Sequence, residues 1–353
     1  MAEFFVAGET LVDFVPGPGA TLREVDGYAH RPGGAPANVA VGLARLGSPP
    51  AFWTRLGDDS FGAFLAETLA DEGIPETHVE RVEGKTTLAV VSPPDARGPR
   101  FGFYGSRDVT FGFGPDSVPT EALATPDGEA SPEGRSLGEA SPGGADAPPW
   151  VHLGGAALTH PSGRAATREL LSAATEAGCP VSFDVNYRAD LVPDGDAAAV
   201  STAVREAVAA SDVALCSDED VAAAGLSTKE GTELARDLLD AGAHTAVVTQ
   251  GDEGAVAVGS AAAPWGPATA RHDGFAVEAV DATGAGDAFT AGFLSRIAGA
   301  RVDESGDGDR DGSALRAALA YGNATAALSV GSVGSMGSIP SREAVESFLA
   351  ERE

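Results

Sequence analysis

The feature that most constrains this chain is the alternation of short apolar runs with helical patterns through its second half. Trp150–Gly154 and residues 181–185, 213–216 and 246–249 read as buried strands. Between them, residues 165–177, Ala197–Ala209 and 229–241 carry apolar side chains at helical spacing. Each helical crossover returns the chain to the same end of the sheet, so the strands must run parallel and both sheet faces must be covered. The expected fold is α/β, a doubly wound, mostly parallel sheet. A further strand at 276–280 is expected to lead into a glycine-rich turn and a long apolar helix, 288–298. Ligands of open α/β sheets bind beyond the carboxyl ends of the strands, where this turn lies.

The first third reads as related elements. Residues 4–15, broken by Gly8, form a strand and turn, and Gly33-Gly34 opens a helix that stops at Gly47. A strand at 51–55 and a helix at 60–72 follow, then a hairpin from 85–91 and 100–104. The 353 residues suit one large α/β domain with an appendage, or two modest domains. Residues 114–149 change character: Pro, Gly, Ser, Glu and Asp dominate, and Glu-Ala-Ser-Pro occurs twice. Such a segment buries too little apolar surface to offset its ordering entropy, so a surface insertion without a catalytic role is expected.

Charge narrows the partners. The net charge is −29 with only two lysines, Lys85 and Lys229, which disfavours nucleic acid and anionic lipid. Self-repulsion on that scale calls for screening by concentrated salt, so the acidic, lysine-poor surface suggests a salt-loving host. No uncharged apolar run is long enough to span a bilayer, and the N-terminus lacks a basic region and a cleavage site. The reading is a cytoplasmic protein whose two cysteines, Cys179 and Cys216, are reduced.

The chemistry concentrates in Asp281-Ala282-Thr283-Gly284-Ala285-Gly286-Asp287-Ala288-Phe289. Small residues allow close backbone approach, and the following helix presents N–H groups to an anion such as a phosphoryl group. Asp287 at that helix start can take the proton of an attacking hydroxyl, or can serve as a plain helix cap. No Walker A sequence is present. Upstream, Gly33-Gly34-Ala35-Pro36-Ala37-Asn38 again sets glycines and an amide at a helix entrance, suited to gripping hydroxyls or to simple turn chemistry.

Together these two segments resemble the signatures of the ribokinase-like (PfkB) carbohydrate kinases, GGAPANVAVGLARLG near one end and DATGAGDAF near the other. The opening Gly8-Glu9-Thr10-Leu11-Val12-Asp13-Phe14 resembles the fructokinase branch. The resemblance implies a single Rossmann-like domain over the whole chain, with a small β-sheet lid from about 13–31 and 85–113. It implies an ATP-dependent sugar kinase using Mg²⁺, with Asp287 as catalytic base and the amides of Gly284, Ala285 and Gly286 as the anion hole. Asp13, Gly33, Gly34 and Asn38 match sugar contacts. Thr249, Gly251 and Gly254 match the family's nucleotide loop, and Asn323 matches a position near the adenine.

In Asp184-Val185-Asn186-Tyr187-Arg188, which resembles a segment of the fructokinase and 2-keto-3-deoxygluconate kinase branches, Arg188 suits a phosphate or a substrate carboxylate. The magnesium-organising Asn-x-x-Glu is replaced by Ser217-Asp218-Glu219-Asp220, so Ser217 falls at the nucleotide and Asp220 at the metal, directly or through water. Some members bind a monovalent cation, K⁺ here, beside the anion hole, and the lid often forms a homodimer contact. Fructose is the leading substrate. A keto acid is the rival, with Tyr104, Arg107 and Arg188 as its carboxylate partners, and a catalytically silent sugar-binding regulator is the alternative of another class.

Overall fold

The computed structural model describes residues 3–19, 21–93, 101–124, 147–299 and 312–352. The chain starts in a large sheet with β1 (Phe4–Ala7) and leaves it for a smaller one, β2 (Leu11–Pro16) and β3 (Tyr28–Gly33). It returns through α1 (Ala35–Arg45), β4 (Ala51–Gly57), α2 (Ser60–Asp71) and β5 (Val79–Val82). A second excursion supplies β6 (Leu88–Val91) and β7 (Phe101–Tyr104) to the small sheet, followed by the short α3 (Arg107–Thr110). From β8 (Trp150–Gly154) the chain stays in the large sheet, alternating α4 (Pro161–Glu176), β9 (Val181–Asp184), α5 (Ala197–Ala209), β10 (Val213–Ser217), α6 (Asp218–Ala223) and α7 (Gly231–Ala241). It then runs through β11 (Thr245–Thr249), β12 (Ala255–Gly259) and β13 (Ala268–His272) to α8 (Ala285–Ile297), α9 (Ser313–Ser329) and α10 (Arg342–Ala350).

The large sheet has the order β13-β12-β11-β10-β9-β8-β1-β4-β5, parallel from β5 to β11 and antiparallel at β12 and β13. Its winding reverses beside β1, where the chain first builds outward to β4 and later restarts at β8. Strand β1 shows why its sequence is apolar throughout: Phe4 and Val6 face one core cluster, Phe5 and Ala7 the other. Helices cover both faces, as the continuous hydrophobic runs require.

The small sheet, β3-β2-β6-β7, is the expected lid, with β2 and β6 parallel and its other pairs antiparallel. Strand β2 alternates as a two-faced strand must. Leu11 and Asp13 line a cavity, while Val12 packs with Leu56 and Leu65 behind the sheet.

Two expectations are corrected. Residues 276–280 form no strand: Val277 and Val280 are exposed, and the N–H groups of Val280 and Asp281 both donate to the Val330 carbonyl at the end of α9. The preceding strand is β13, and it already closes the sheet. The compositional change at Gly114 is also not where packing stops, because Val118 and Leu123 are buried against the core. Residues 125–146, the body of the expected insertion, lie outside the described residues.

Strands crossing between the sheets are pinned by glycines in conformations that L-residues avoid. At Gly105 (φ 110°) a Cβ would lie 2.6 Å from the Thr86 carbonyl oxygen on the neighbouring crossing strand. Gly105→Ala is therefore expected to cost about 1–3 kcal/mol in a denaturant titration, with the transition moved to lower denaturant. An unchanged midpoint would show that the crossing relaxes freely.

Candidate active site

Helices α1 and α8 meet where Gly42 faces Ala291; a Cβ on Gly42 would sit 2.5 Å from the Ala291 Cβ. One turn earlier on each helix, Asn38 Nδ2 donates to Asp287 Oδ2 at 2.7 Å. The contact is buried, with Asn38 and Asp287 only 3% and 8% exposed. Gly34 caps α1 at φ 107°, and a Cβ there would lie 2.6 Å from the Glu9 carbonyl oxygen. Gly284 caps α8 in the left-handed region, with Ser335 so close that a Cβ would lie 2.7 Å from the serine Cβ. The turn before α8 is held by Asp281, whose two carboxylate oxygens accept from the N–H groups of Thr283 and Gly334 at 2.9 Å each.

These helix starts border a cavity of about 220 Å³. Its polar wall includes Glu9, Asp13, Asn38, Arg188, Asp287 and Ser335, and its apolar wall includes Leu11, Phe101, Phe103, Phe111 and Leu191. Asp13 comes from β2 of the lid, and Gly33 opposite it must lack a side chain, since a Cβ would lie 2.2 Å from Asp13 Oδ2. Two buried acceptor atoms on this wall, Glu9 Oε2 and Asn38 Oδ1, find no hydrogen-bond partner in the protein, while the Ser335 hydroxyl bears on the Asp13 carboxyl.

Burial dominates the electrostatics. Burial, reinforced by the charge of Asp287, raises the carboxyls of Glu9 and Asp13 to about 7 each. Asp184, at the end of β9, is raised to about 8 by burial and then by Asp220 and Asp287. Asp287 itself is raised to about 6, burial outweighing the Asn38 amide and the Arg188 charge, both of which favour its ionised form. Arg188 is the one cation lining the cavity among the described residues.

Of the residues singled out by sequence, Asp13, Gly34, Asn38, Arg188, Gly284 and Asp287 line this cavity, and Gly33 makes room in it. Gly286, on the first turn of α8, has open space where a Cβ would be. The Ala285 N–H donates instead to the Ala282 carbonyl, so it is already engaged within the turn. Tyr104 is 62% exposed on β7, outside the cavity. Arg107 is also absent from the wall: its guanidinium donates to the Leu191 carbonyl and to Thr159.

The residues matched to nucleotide form a second group at the carboxyl ends of β10 and β11, where Ser217 and Thr249 are paired in register. Ser217 caps α6, accepting from the Asp220 N–H and donating to Asp220 Oδ2 at 2.8 Å. Burial raises the Asp220 carboxyl as well. Gly251 and Gly254 have positive φ, and Gly254 lies so close to the His272 carbonyl that no side chain fits. Asn323 is buried on α9, its amide donating to the Leu319 carbonyl one turn back rather than facing solvent.

Sequence reading passed over Glu9, Asp184, Ser335 and the phenylalanine wall. The available signals were a glutamate directly after a hinge glycine, an aspartate closing a buried strand, and the alternation of Phe101 with Phe103.

Comparison with known proteins finds similarity over nearly the whole chain. The profile of the pfkB family carbohydrate kinases matches residues 1–101 and 149–342. Fructokinase from Escherichia coli is 30% identical over 98% of this chain and 99% of its own length. Among solved structures, a Xylella fastidiosa fructokinase with bound ATP superposes with a TM-score of 0.79 at 25% identity, covering 100% of this chain and 99% of that one. Vibrio cholerae fructokinase, solved with fructose, ADP and calcium ion, gives a TM-score of 0.78 at 27% identity over 99% of both chains.

Because Glu9, Asp13, Asp184 and Asp287 all titrate above the usual carboxylate range when folded, the native state holds more protons than the unfolded chain above about pH 5. Their contribution to stability is complete at lower pH and is lost as pH rises through about 6 to 8. The ligand-free protein should thus melt at a lower temperature at about pH 8.5 than at about pH 5.5. Asp184→Asn should flatten that slope; an equal slope in both proteins would remove Asp184 from the account.

Proposed function

The chain belongs to the pfkB family of carbohydrate kinases, and we propose that it is a fructokinase, transferring the γ-phosphoryl group of ATP to a hydroxyl of fructose. The observation that carries the choice of substrate is the character of the cavity: orphaned acceptor atoms, several carboxyls and a single guanidinium. A ligand that supplies many O–H donors and no negative charge complements such a wall. The fructokinases to which the chain is similar over nearly its full length support the same assignment.

In this reading Asp13 and Asn38 hold sugar hydroxyls, and the bare backbone of Gly33 and Gly34 lets the sugar approach. The phenylalanine wall covers the sugar's apolar face and excludes water when the lid is down. Asp287 accepts the proton of the attacking hydroxyl as the new O–P bond forms. The bond from the γ-phosphorus to the β–γ bridging oxygen breaks, and ADP leaves with the electron pair. Charge developing on the transferred group is met by the first turn of α8 at Gly284 and Gly286. Ser217, Thr249, Gly251, Gly254 and Asn323 flank the nucleotide.

A divalent cation fits this arrangement as a companion of the phosphates. Among the described residues no cluster of three potential ligands exists, and Asp220 is tied to Ser217. Asp220 and Asp184 would therefore hold Mg²⁺ through water, and the ion supplies charge neutralisation on the β- and γ-phosphates. ATP supply places the reaction in the cytoplasm.

A keto-acid substrate is disfavoured because Arg107 is spent on backbone and Thr159, Tyr104 is outside the cavity, and Arg188 stands among carboxyls. In Mg-ATP and about 1 M KCl, which shortens the screening length to about 3 Å, ADP release should be strongest with fructose among fructose, 2-keto-3-deoxygluconate, ribose, glucose and adenosine. Preference for the keto acid overturns the assignment. Sugar binding without any ADP release would instead favour a silent regulator.

Asp287→Asn should lower kcat by about 10²- to 10⁴-fold while sugar and ATP still bind. In the unaltered enzyme kcat/KM should fall as pH drops through about 6, where Asp287 gains its proton. Near-normal turnover by the asparagine variant would take the base role from Asp287.

A further inference from the structure

Glu9 lies on the crossing from β1 into the lid, and nothing in the transfer chemistry described above employs it. Its side chain is 4% exposed and lines the same cavity as Asp13, Asn38 and Asp287. The N–H groups of Glu9 itself and of Ala35, the first residue of α1, point at this carboxyl, and the Arg188 charge bears on it. Oε2 is left buried without a partner. A buried carboxylate oxygen without a donor is costly to keep. The mechanical link at this crossing is made elsewhere, by the Thr10 and Thr54 hydroxyls at 2.8 Å and by the Gly34 backbone packed on the Glu9 carbonyl. A shorter or apolar side chain would satisfy those constraints, so the carboxyl answers to the cavity.

We propose that Glu9 is a specificity-determining residue that touches the substrate: its Oε2 accepts one hydroxyl of the neutral sugar, beside the turn at Gly34 and Ala35. This rests on the sugar-kinase reading of the cavity and adds a second carboxyl to Asp13 in sugar recognition. The two carboxyls come from different sides of the hinge, Asp13 from the lid strand β2 and Glu9 from the crossing below it. A sugar bridging them would therefore bind best with the lid down, and an anion in the same place would meet two carboxyls at once.

The experiment compares the full-length enzyme with Glu9→Gln and Glu9→Asp, using fructose and a series of fructose analogues each lacking one hydroxyl. Removing a hydrogen bond to a charged group is expected to raise the fructose KM by ~10- to 100-fold, with a smaller fall in kcat. Glu9→Asp keeps the charge but withdraws it by one methylene, and should lose fructose affinity too. For one deoxy analogue, the unaltered enzyme and Glu9→Gln should bind alike, because the variant has nothing further to lose at that position. Equal fructose KM in Glu9→Gln and the unaltered enzyme, or equal losses for every analogue in both, would overturn the assignment. Should the variants not fold, a crystal structure of the unaltered enzyme with fructose decides: Oε2 within hydrogen-bond distance of a sugar hydroxyl supports the role, and an oxygen facing only water removes it. Failure of the unaltered enzyme to bind fructose overturns the functional reading and this assignment with it, whereas normal fructose binding by Glu9→Gln overturns this assignment alone.

Discussion

The hydrogen bond from Asn38 to Asp287 joins residues 249 positions apart, and most of what the site can do depends on it. It exists because Gly42 lets α1 and α8 come nearly into backbone contact at Ala291. Each partner stands four residues, about one helical turn, before that crossing. The distance between the amide and the carboxylate is thus set by helix packing, which is stiff, rather than by loops, which are not. The amide then performs two tasks on one atom pair: it orients the carboxylate and offsets part of the burial that raises its proton affinity. Both helices begin beside this contact, so their capping glycines, Gly34 and Gly284, border the same cavity.

That space is expensive to maintain when empty. Glu9, Asp13, Asp184, Asp220 and Asp287 are withdrawn from water; Asp287 raises the proton affinity of Glu9, Asp13 and Asp184, Asp220 that of Asp184 and Asp287, and Arg188 is the nearby counter-charge. This cluster is distinct in origin from the chain's net charge of −29, most of which is carried by solvated side chains whose repulsion salt can screen. Buried charges are screened far less, so only ligands relieve them. In the proposed reading, hydroxyl donors would do so at the sugar end and a cation with the phosphates at the other. A site whose electrostatics are completed by its substrates gives up stability in their absence and gains differential binding in their presence.

The parallel sheet, its helical crossovers and the two glycine-rich helix starts were legible because each rests on local periodicity or on a short motif. The failures have physical causes. Residues 276–280 carry strand-forming side chains, yet the N–H groups of Val280 and Asp281 go to the Val330 carbonyl at the end of α9 instead of a sheet partner. Ala285 sits in the turn matched by sequence to an anion hole, but its N–H is spent inside the turn, a local bond that no motif announces. Arg107 was a reasonable carboxylate partner by composition; its guanidinium is directed to Thr159 and Leu191, contacts 52 and 84 residues away in sequence. Glu9 and Asp184 were visible as letters, but their importance comes from burial, and burial of a single acidic residue has no periodic signature.

The remaining regularity is the order in which functional groups meet the sheet. Glu9 follows β1 at the winding reversal, while Asp184 closes β9, Ser217 closes β10 and Thr249 closes β11 on one side of it. Neighbouring strands are about 4.8 Å apart, so the step from Asp184 to Thr249 spans about 10 Å, comparable to an extended triphosphate. Helix α8 is anchored over the middle of this row, since Thr290 donates to Asp184 Oδ2 at 3.4 Å while Asp287, one turn earlier, reaches Asn38. In the proposed reaction a phosphoryl group carried from the β10–β11 side toward β1 would meet the start of α8. In-line transfer needs donor, base and acceptor on one path, and strand order would lay that path out before any side chain is chosen.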